Sequence, residues 1–215
     1  SKANGQGTYL FYDSAMDNTD ERLILENKLR HALQNNELYM IYQPQISTKT
    51  NKVCGVEALM RWYNPELGEI FPAQFMCVAE EIGLINQLSD WAIGKICRQH
   101  KQWQQQGAPD IKVAVNVSAS DLLTSDFVSR VKRNLVKYDM DPAFLELEIT
   151  EDVFLDRTEQ IIDTLRALKA MGVMIAIDDF GTGYSSLRYL QDFPVDVLKL
   201  DGSFITNIED SEKSR

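Results

Sequence analysis

The chain is poor in the residues that build thiolate and disulfide frameworks. Its 215 residues hold three cysteines (Cys54, Cys77 and Cys97) and two histidines. The cysteine number is odd and no CxxC pair occurs, so neither a disulfide scaffold nor a zinc site is supported. The three cysteines read as reduced and mostly buried. No apolar run approaches the ~20 residues of a bilayer span, and no signal peptide opens the sequence. A cytoplasmic setting without direct membrane contact follows, with an upstream anchor in a longer parent left open. Basic residues are outnumbered too, 22 Lys and Arg against 32 Asp and Glu, for a net charge of −10. Binding along DNA or RNA depends on neutralising phosphates with Lys and Arg, so neither is expected as a partner. An anionic ligand remains compatible where bound metal reverses the local field. Internal repeats and low-complexity tracts are also missing. What is present, 44% hydrophobic and 25% charged residues, is ordinary for a globular domain, and the length suits one domain, or one domain plus an appendage.

The stretch Val173–Tyr184, V-M-I-A-I-D-D-F-G-T-G-Y, organises the rest. Apolar residues end abruptly in Asp178 and Asp179, and Gly181 and Gly183 follow. This reads as a buried strand ending in carboxylates, where α/β proteins place their sites. Like charges ~4 Å apart repel by roughly 4 kcal/mol at an effective dielectric of ~20. A divalent cation relieves that repulsion, and hard cations take oxygen ligands. A solvated Asp-Asp turn is the alternative.

Residues 1 to about 17 resemble the tail of another unit, with a short aromatic strand at Thr8–Tyr12. A helix from Asp20 to about Asn35 carries Leu23, Leu25, Leu29 and Leu33. Strands are expected at Tyr39–Ile46 and Val53–Trp62, with Pro44 suiting an edge. Alternation places Gly55, Glu57, Leu59 and Arg61 on one face of the second strand, and Cys54, Val56, Ala58 and Met60 on the other. Helices follow at about Pro72–Glu81 and Gln87–Gln106. Leu88, Ala92, Ile96 and Trp103 form a stripe on the second, and Gly83 and Gly107 are the stops. Ile111–Val117 is the next strand. Ser125 is placed to cap a helix reaching Tyr138. Leu145–Ile149 is a strand with Glu146 and Glu148 on one face. Asp156 and Glu159 suggest a capping box for a helix stopped by Gly172. After the Asp178 strand come a short helix at about Ser186–Gln191 and a strand, Val195–Leu200, carrying Lys199. Alternating strands and helices imply mostly parallel strands joined by crossovers.

Glu57, Asn116, Glu148, Asp178 and Lys199 each interrupt an apolar segment at or near the C-terminal end of a strand. Singly, each reads as a sheet-edge or surface residue. Together they suit a parallel β/α barrel, where such ends converge on one mouth. Glu57, Asn116, Glu148 and Asp178 then form an oxygen-rich cage for Mg²⁺ or Mn²⁺, and Asp179 helps hold a second ion. Two ions clamp the attacking and leaving oxygens of a phosphoryl displacement. Lys199 orients the attacking water or stabilises developing charge. Arg61, on the Glu57 face, either binds a phosphate oxygen or pairs with a site carboxylate.

These residues resemble the EAL-domain family of cyclic di-GMP phosphodiesterases. Glu57-Ala58-Leu59, with Arg61 two beyond, is similar to the family signature. So, in family order, are Tyr42-Gln43-Pro44, Asn116-Val117-Ser118, Glu148-Ile149-Thr150-Glu151, the run from Asp178-Asp179-Phe180-Gly181 to Leu187, and Lys199-Leu200-Asp201. The similarity covers roughly residues 22–210. It implies an α/β fold, a TIM-like (β/α) barrel whose first strand is antiparallel. It also implies hydrolysis of one phosphodiester of cyclic di-GMP to linear pGpG with Mg²⁺ or Mn²⁺, two ions in all, and a homodimer. By matched position, Glu57, Asn116, Glu148 and Asp178 ligate metal, with Asp179 serving the second ion. Lys199 and Glu57 are catalytic, Glu151 tethers the loop Asp179–Leu187, and Gln43, Leu59 and Arg61 line the substrate groove.

Family barrels continue past the Lys199 strand with an E-G-V-E-like and a Q-G-Y-like segment. Neither is present here, so the expected barrel is truncated after its sixth strand. Lys2–Tyr12 is similar to the closing segment of a GGDEF-type diguanylate cyclase domain, whose signature is absent here. The implied organisation is that tail (1–17), a linker helix (18–36) and an EAL domain (37–215). The alternatives to a phosphodiesterase are a cyclic di-GMP receptor that does not hydrolyse its ligand and a structural or dimerisation fragment without chemistry.

Overall fold

Alternating apolar and polar residues make the strands of this chain, and 3.6-residue spacing makes its helices. The computed structural model describes residues 19–154, 158–181 and 193–203. They fall into two compact parts. The expected strand at Thr8–Tyr12, the helix at 186–191 and the cap at Asp156 lie outside the described residues.

The smaller part comprises described residues up to Tyr39 and residues Arg61–Leu84. Helix α1 spans Thr19–Ala32, close to the expected bounds. Leu29 and Ala32 are its buried residues, whereas Leu23 is 48% exposed. The inward stripe is therefore rotated from the one expected. Strand β1 (Leu38–Ser47) begins here, and β2 (Lys52–Asn64) ends here. A three-residue strand, β3 (Gly68–Ile70), pairs antiparallel with Trp62–Asn64. Helix α2 (Pro72–Glu81) has proline in its first turn, where a missing N–H costs nothing. Trp62 and Phe75, both fully buried, meet edge to face at 5.8 Å.

A single carboxylate organises the polar side of this part. Glu37 Oε2 accepts from Trp62 Nε1 and Asn64 Nδ2, each at 2.9 Å. Asn64 Oδ1 in turn accepts from the backbone N–H groups of Glu66 and Leu67, fixing the β2–β3 turn. Partial burial alone would raise the Glu37 pKa. The bonds from Trp62, Asn64 and Asn35 and the charge of Lys28 outweigh it, leaving the pKa below its usual 4.5.

The larger part comprises Met40–Met60 and the described residues from Ile85 onward. Its strands are β1, β2, β4 (Lys112–Asn116), β5 (Leu145–Thr150), β6 (Met174–Phe180) and β7 (Val197–Leu200), hydrogen-bonded in the order β1-β2-β4-β5-β6-β7. The four residues between β1 and β2 allow only an antiparallel hairpin. The β2–β4, β4–β5, β5–β6 and β6–β7 pairs are all parallel. These are the six strands expected, and Pro44 lies in β1, at one end of that order. Among the described residues the sheet does not close.

Helix α3 (Ile85–Gln105) buries Leu88, Ala92, Ile96, Cys97 and His100. Helix α5 (Phe127–Tyr138) and α6 (Glu159–Ala170) also pack on the sheet. Between α3 and α5 in the chain lies α4 (Ala119–Leu122), one turn that spacing did not reveal. It displaces the cap of α5: the N-cap position is Asp126, not Ser125, and no side-chain bond is made there. Thr158 caps α6, its hydroxyl accepting from Ile161 N–H. Gly107 and Gly172 follow α3 and α6 with φ of +77° and +93°, conformations that suit glycine at a helix stop. Val56, Ala58, Val113, Val115, Leu145, Leu147, Ile149, Ile175 and Ile177 bring one face of the strands into the apolar core. Of the cysteines only Cys97 is buried; Cys54 and Cys77 are exposed, on the outer end of β2 and the outward side of α2. No described helix is long and apolar enough to cross a membrane.

The lowered pKa of Glu37 carries a sign. Its stabilisation is fully present above the unfolded value near 4.5 and is lost as pH falls through the lower folded value. Glu37→Gln is expected to cost about 1 kcal/mol at pH 7, with the gap from wild type narrowing by pH 3. Denaturant titrations at both pH values check this; a gap that stays constant removes the ionised carboxylate from that role.

Candidate metal and phosphodiester site

In parallel neighbours, residues at matching heights point the same way. Register pairs Glu57 with Ala114, Asn116 with Glu148, and Thr150 with Asp178. With Val56, Ala58, Val115, Leu147, Ile149 and Ile177 committed to the apolar core, alternation turns Glu57, Asn116, Glu148 and Asp178 to the other face. Strand β7 adds Lys199, between the exposed Leu198 and Leu200. Asp196 seats this strand: it pairs with Lys169 and accepts from Ile175 N–H at 2.8 Å.

Glu57, Glu148 and Asp178 each offer a carboxylate oxygen, and the three lie within 4.8 Å of one another. Lys199 Nζ stands among them, donating to Glu57 Oε2 at 3.2 Å and Asp178 Oδ2 at 3.0 Å. It forms an ion pair with Glu148 Oε1 at 2.8 Å. Asn116 Nδ2 donates to Glu57 Oε1 at 3.2 Å. Glu148 is fully buried, and neither of its oxygens has a partner of good hydrogen-bond geometry. Burial pushes its pKa up to about 7 against the downward pull of Lys199. Burial disfavours the Lys199 ammonium, but Glu148 and Asp178 more than compensate and raise its pKa.

Asp179 follows with φ +52°, a left-handed backbone that aspartate tolerates. Its N–H donates to Asp178 Oδ1 at 3.0 Å. Its carboxylate lies outside the group of three, and burial, then the charges of Asp178 and Asp201, raise its pKa. Glu151, 4% exposed, accepts from Gly181 N–H at 2.7 Å, and so holds the first residue beyond β6. Gln43 is exposed on β1, and Leu59 is half-buried two residues beyond Glu57; both lie outside the bonded cluster. Arg61 is half-buried and belongs to the smaller compact part.

One support of this site escaped the sequence reading. Asp121 on α4 is fully buried. Its Oδ2 accepts from Ser89 Oγ at 2.6 Å, Ser118 Oγ at 3.0 Å and Ser118 N–H at 3.3 Å. Arg130 NH2 lies 3.6 Å from Oδ1. Asp121 thus clamps the turn two residues beyond Asn116. The signal was the S-x-x-D spacing of Ser118 and Asp121, a capping box hidden in too short a helix. Glu146, 5% exposed, lies two residues before Glu148 on the same face, its pKa raised by burial.

The cluster fits a divalent cation on its own chemistry. Three carboxylates and an amide oxygen are hard donors. A fully buried carboxylate lacking well-formed hydrogen bonds calls for a cation beside it, a place that the Lys199 ammonium takes here.

A family profile described as the EAL domain matches residues 26–215. The bifunctional diguanylate cyclase/cyclic di-GMP phosphodiesterase MucR of Pseudomonas aeruginosa is 40% identical over 209 residues, 97% of this chain and 30% of that protein. The cyclic di-GMP phosphodiesterase NbdA of the same organism is 39% identical over 99% of this chain and 27% of its own length. The chain spans only 26–30% of the first such relatives. The solved structure of the PaMucR phosphodiesterase in complex with c-di-GMP, 39% identical, matches with a TM-score of 0.83 over 89% of this chain and 77% of that one. The EAL enzyme Bd1971, bound to cAMP and cyclic di-GMP, is 31% identical and matches with a TM-score of 0.84 over 93% and 55%. The open, mostly parallel sheet thus corresponds to the TIM-like barrel of these domains. On the matched profile and on relatives near 40% identity along nearly its whole length, the chain belongs to the EAL domain family.

Proposed function

We propose that this chain carries the catalytic site of a metal-dependent phosphodiesterase that hydrolyses cyclic di-GMP to linear pGpG. The carrying observation is the convergence of Glu57, Glu148, Asp178 and Lys199 from four strands on one point. The relatives named as cyclic di-GMP phosphodiesterases supply the substrate class. Glu57, Asn116, Glu148 and Asp178 would hold a first Mg²⁺ or Mn²⁺, and Asp179 would serve a second. When bound, such ions supply Lewis acidity to a phosphodiester and charge neutralisation for a dianionic substrate.

The chain's own residues do the rest. The Lys199 ammonium offers donors to the oxygens that gain charge as the P–O bond breaks. Asn116 orients Glu57 through its amide. Glu151 holds Gly181, and with it the start of the loop that follows β6. Gln43, Leu59 and Arg61 would line the dinucleotide groove. A cytoplasmic homodimer within a longer signalling protein, preceded by a GGDEF-like tail at residues 1–17 and a linker helix at 18–36, completes the proposal.

Hydrolysis of cyclic di-GMP is expected to require Mg²⁺ or Mn²⁺ and to stop with excess chelator. Glu57→Ala and Lys199→Ala should each lower kcat at least ~100-fold. Undiminished turnover in either variant defeats the assignment. Tight binding of cyclic di-GMP with metal present and no product would instead favour a receptor.

Glu151→Ala is expected to reduce kcat/KM about tenfold or more, because Gly181 loses its acceptor. Its melting temperature should change little beside that loss. A variant with wild-type kinetics would confine Glu151 to a packing role.

A further inference from the structure

The Lys199 ammonium stands where the carboxylate trio would place a cation. Its Nζ is 3.2 Å from Glu57, 2.8 Å from Glu148 and 3.0 Å from Asp178. The trio's ligand atoms span no more than 4.8 Å. Any ion held by all three must therefore sit close to that nitrogen, and two cations cannot share so small a space. We propose that Lys199 is a resident counter-ion, filling the cation seat of the metal-free protein and leaving its contacts with Glu57, Glu148 and Asp178 when a divalent cation enters. The proposal rests on the reading of the trio as a metal site.

Two features support it. Glu148 is fully buried, and Lys199 is the cation paired with its carboxylate among the described residues. Lys199 also has room to withdraw. Its side chain is 23% exposed. A lysine stem has four rotatable carbons and a compact head with three donors, so it can swap partners without moving the strand. A seat occupied by an internal ammonium lowers apparent metal affinity by the fraction of time that the seat is free.

The test is Mn²⁺ binding at fixed pH, followed by the electron paramagnetic resonance signal of free Mn²⁺, with no substrate present. Lys199→Met is expected to bind Mn²⁺ about tenfold or more tighter than wild type, and Lys199→Arg about as weakly as wild type. Metal-free Lys199→Met should melt below wild type and recover on adding Mn²⁺. Lys199→Gln gives the same readouts should the methionine variant not fold. Equal or weaker binding by the Met and Gln variants, while wild type still hydrolyses cyclic di-GMP, overturns the counter-ion proposal alone. Absence of Mn²⁺ and Mg²⁺ binding in every form overturns it together with the metal-site reading beneath it.

Discussion

Three carboxylates held within 4.8 Å of one another are the constraint that the polar face of this sheet has to satisfy. Their mutual repulsion amounts to several kcal/mol per close pair at an effective dielectric of ~20. It is tolerated because Lys199 reaches all three, and it can do so only if β7 lies beside β6. That placement is secured by other means: Asp196 ties the start of β7 to Ile175 and to Lys169 on α6. Packing and backbone bonding thus fix the strand order, and the charge cluster follows from it.

The parallel sheet separates two duties by alternation. One face of β2, β4, β5 and β6 enters the apolar core with α3, α5 and α6, and the other carries the polar cluster. Burial of Glu146 and Glu148 on that second face shows that it is not solvent-facing in the ordinary sense. Low exposure strengthens every electrostatic contact there and makes an uncompensated charge costly. The same environment raises the pKa values of both glutamates.

Most of this architecture could be read from period and punctuation. Glu57, Asn116, Glu148, Asp178 and Lys199 stood out because each broke an apolar alternation at a comparable height. Alternation gives the face of a residue but not its distance from another strand. That Lys199 touches Glu57 depends on sheet order and curvature, which no local pattern encodes. Asp179 shows a related limit. A left-handed backbone at that position ends the alternation, so its direction could not be inferred from Asp178. The three-residue β3 and four-residue α4 are too short for a period to register. The burial expected of Cys54 and Cys77 came from residue type, which is weaker than position: one lies at the outer end of β2, the other on the outward side of α2.

Asp121 gives the outer layer a grip on the rim. One buried carboxylate bonds Ser89 on α3 and Ser118 in the turn after β4, and faces Arg130 on α5. Arg130 in turn donates to the carbonyl of Asn86 at 2.7 Å. Shear between α3 and α5 would strain the Ser89 and Arg130 contacts of the same carboxylate that holds the turn beyond Asn116. Helix surface and sheet mouth are therefore coupled in series, like links of a single chain, rather than free to relax one at a time.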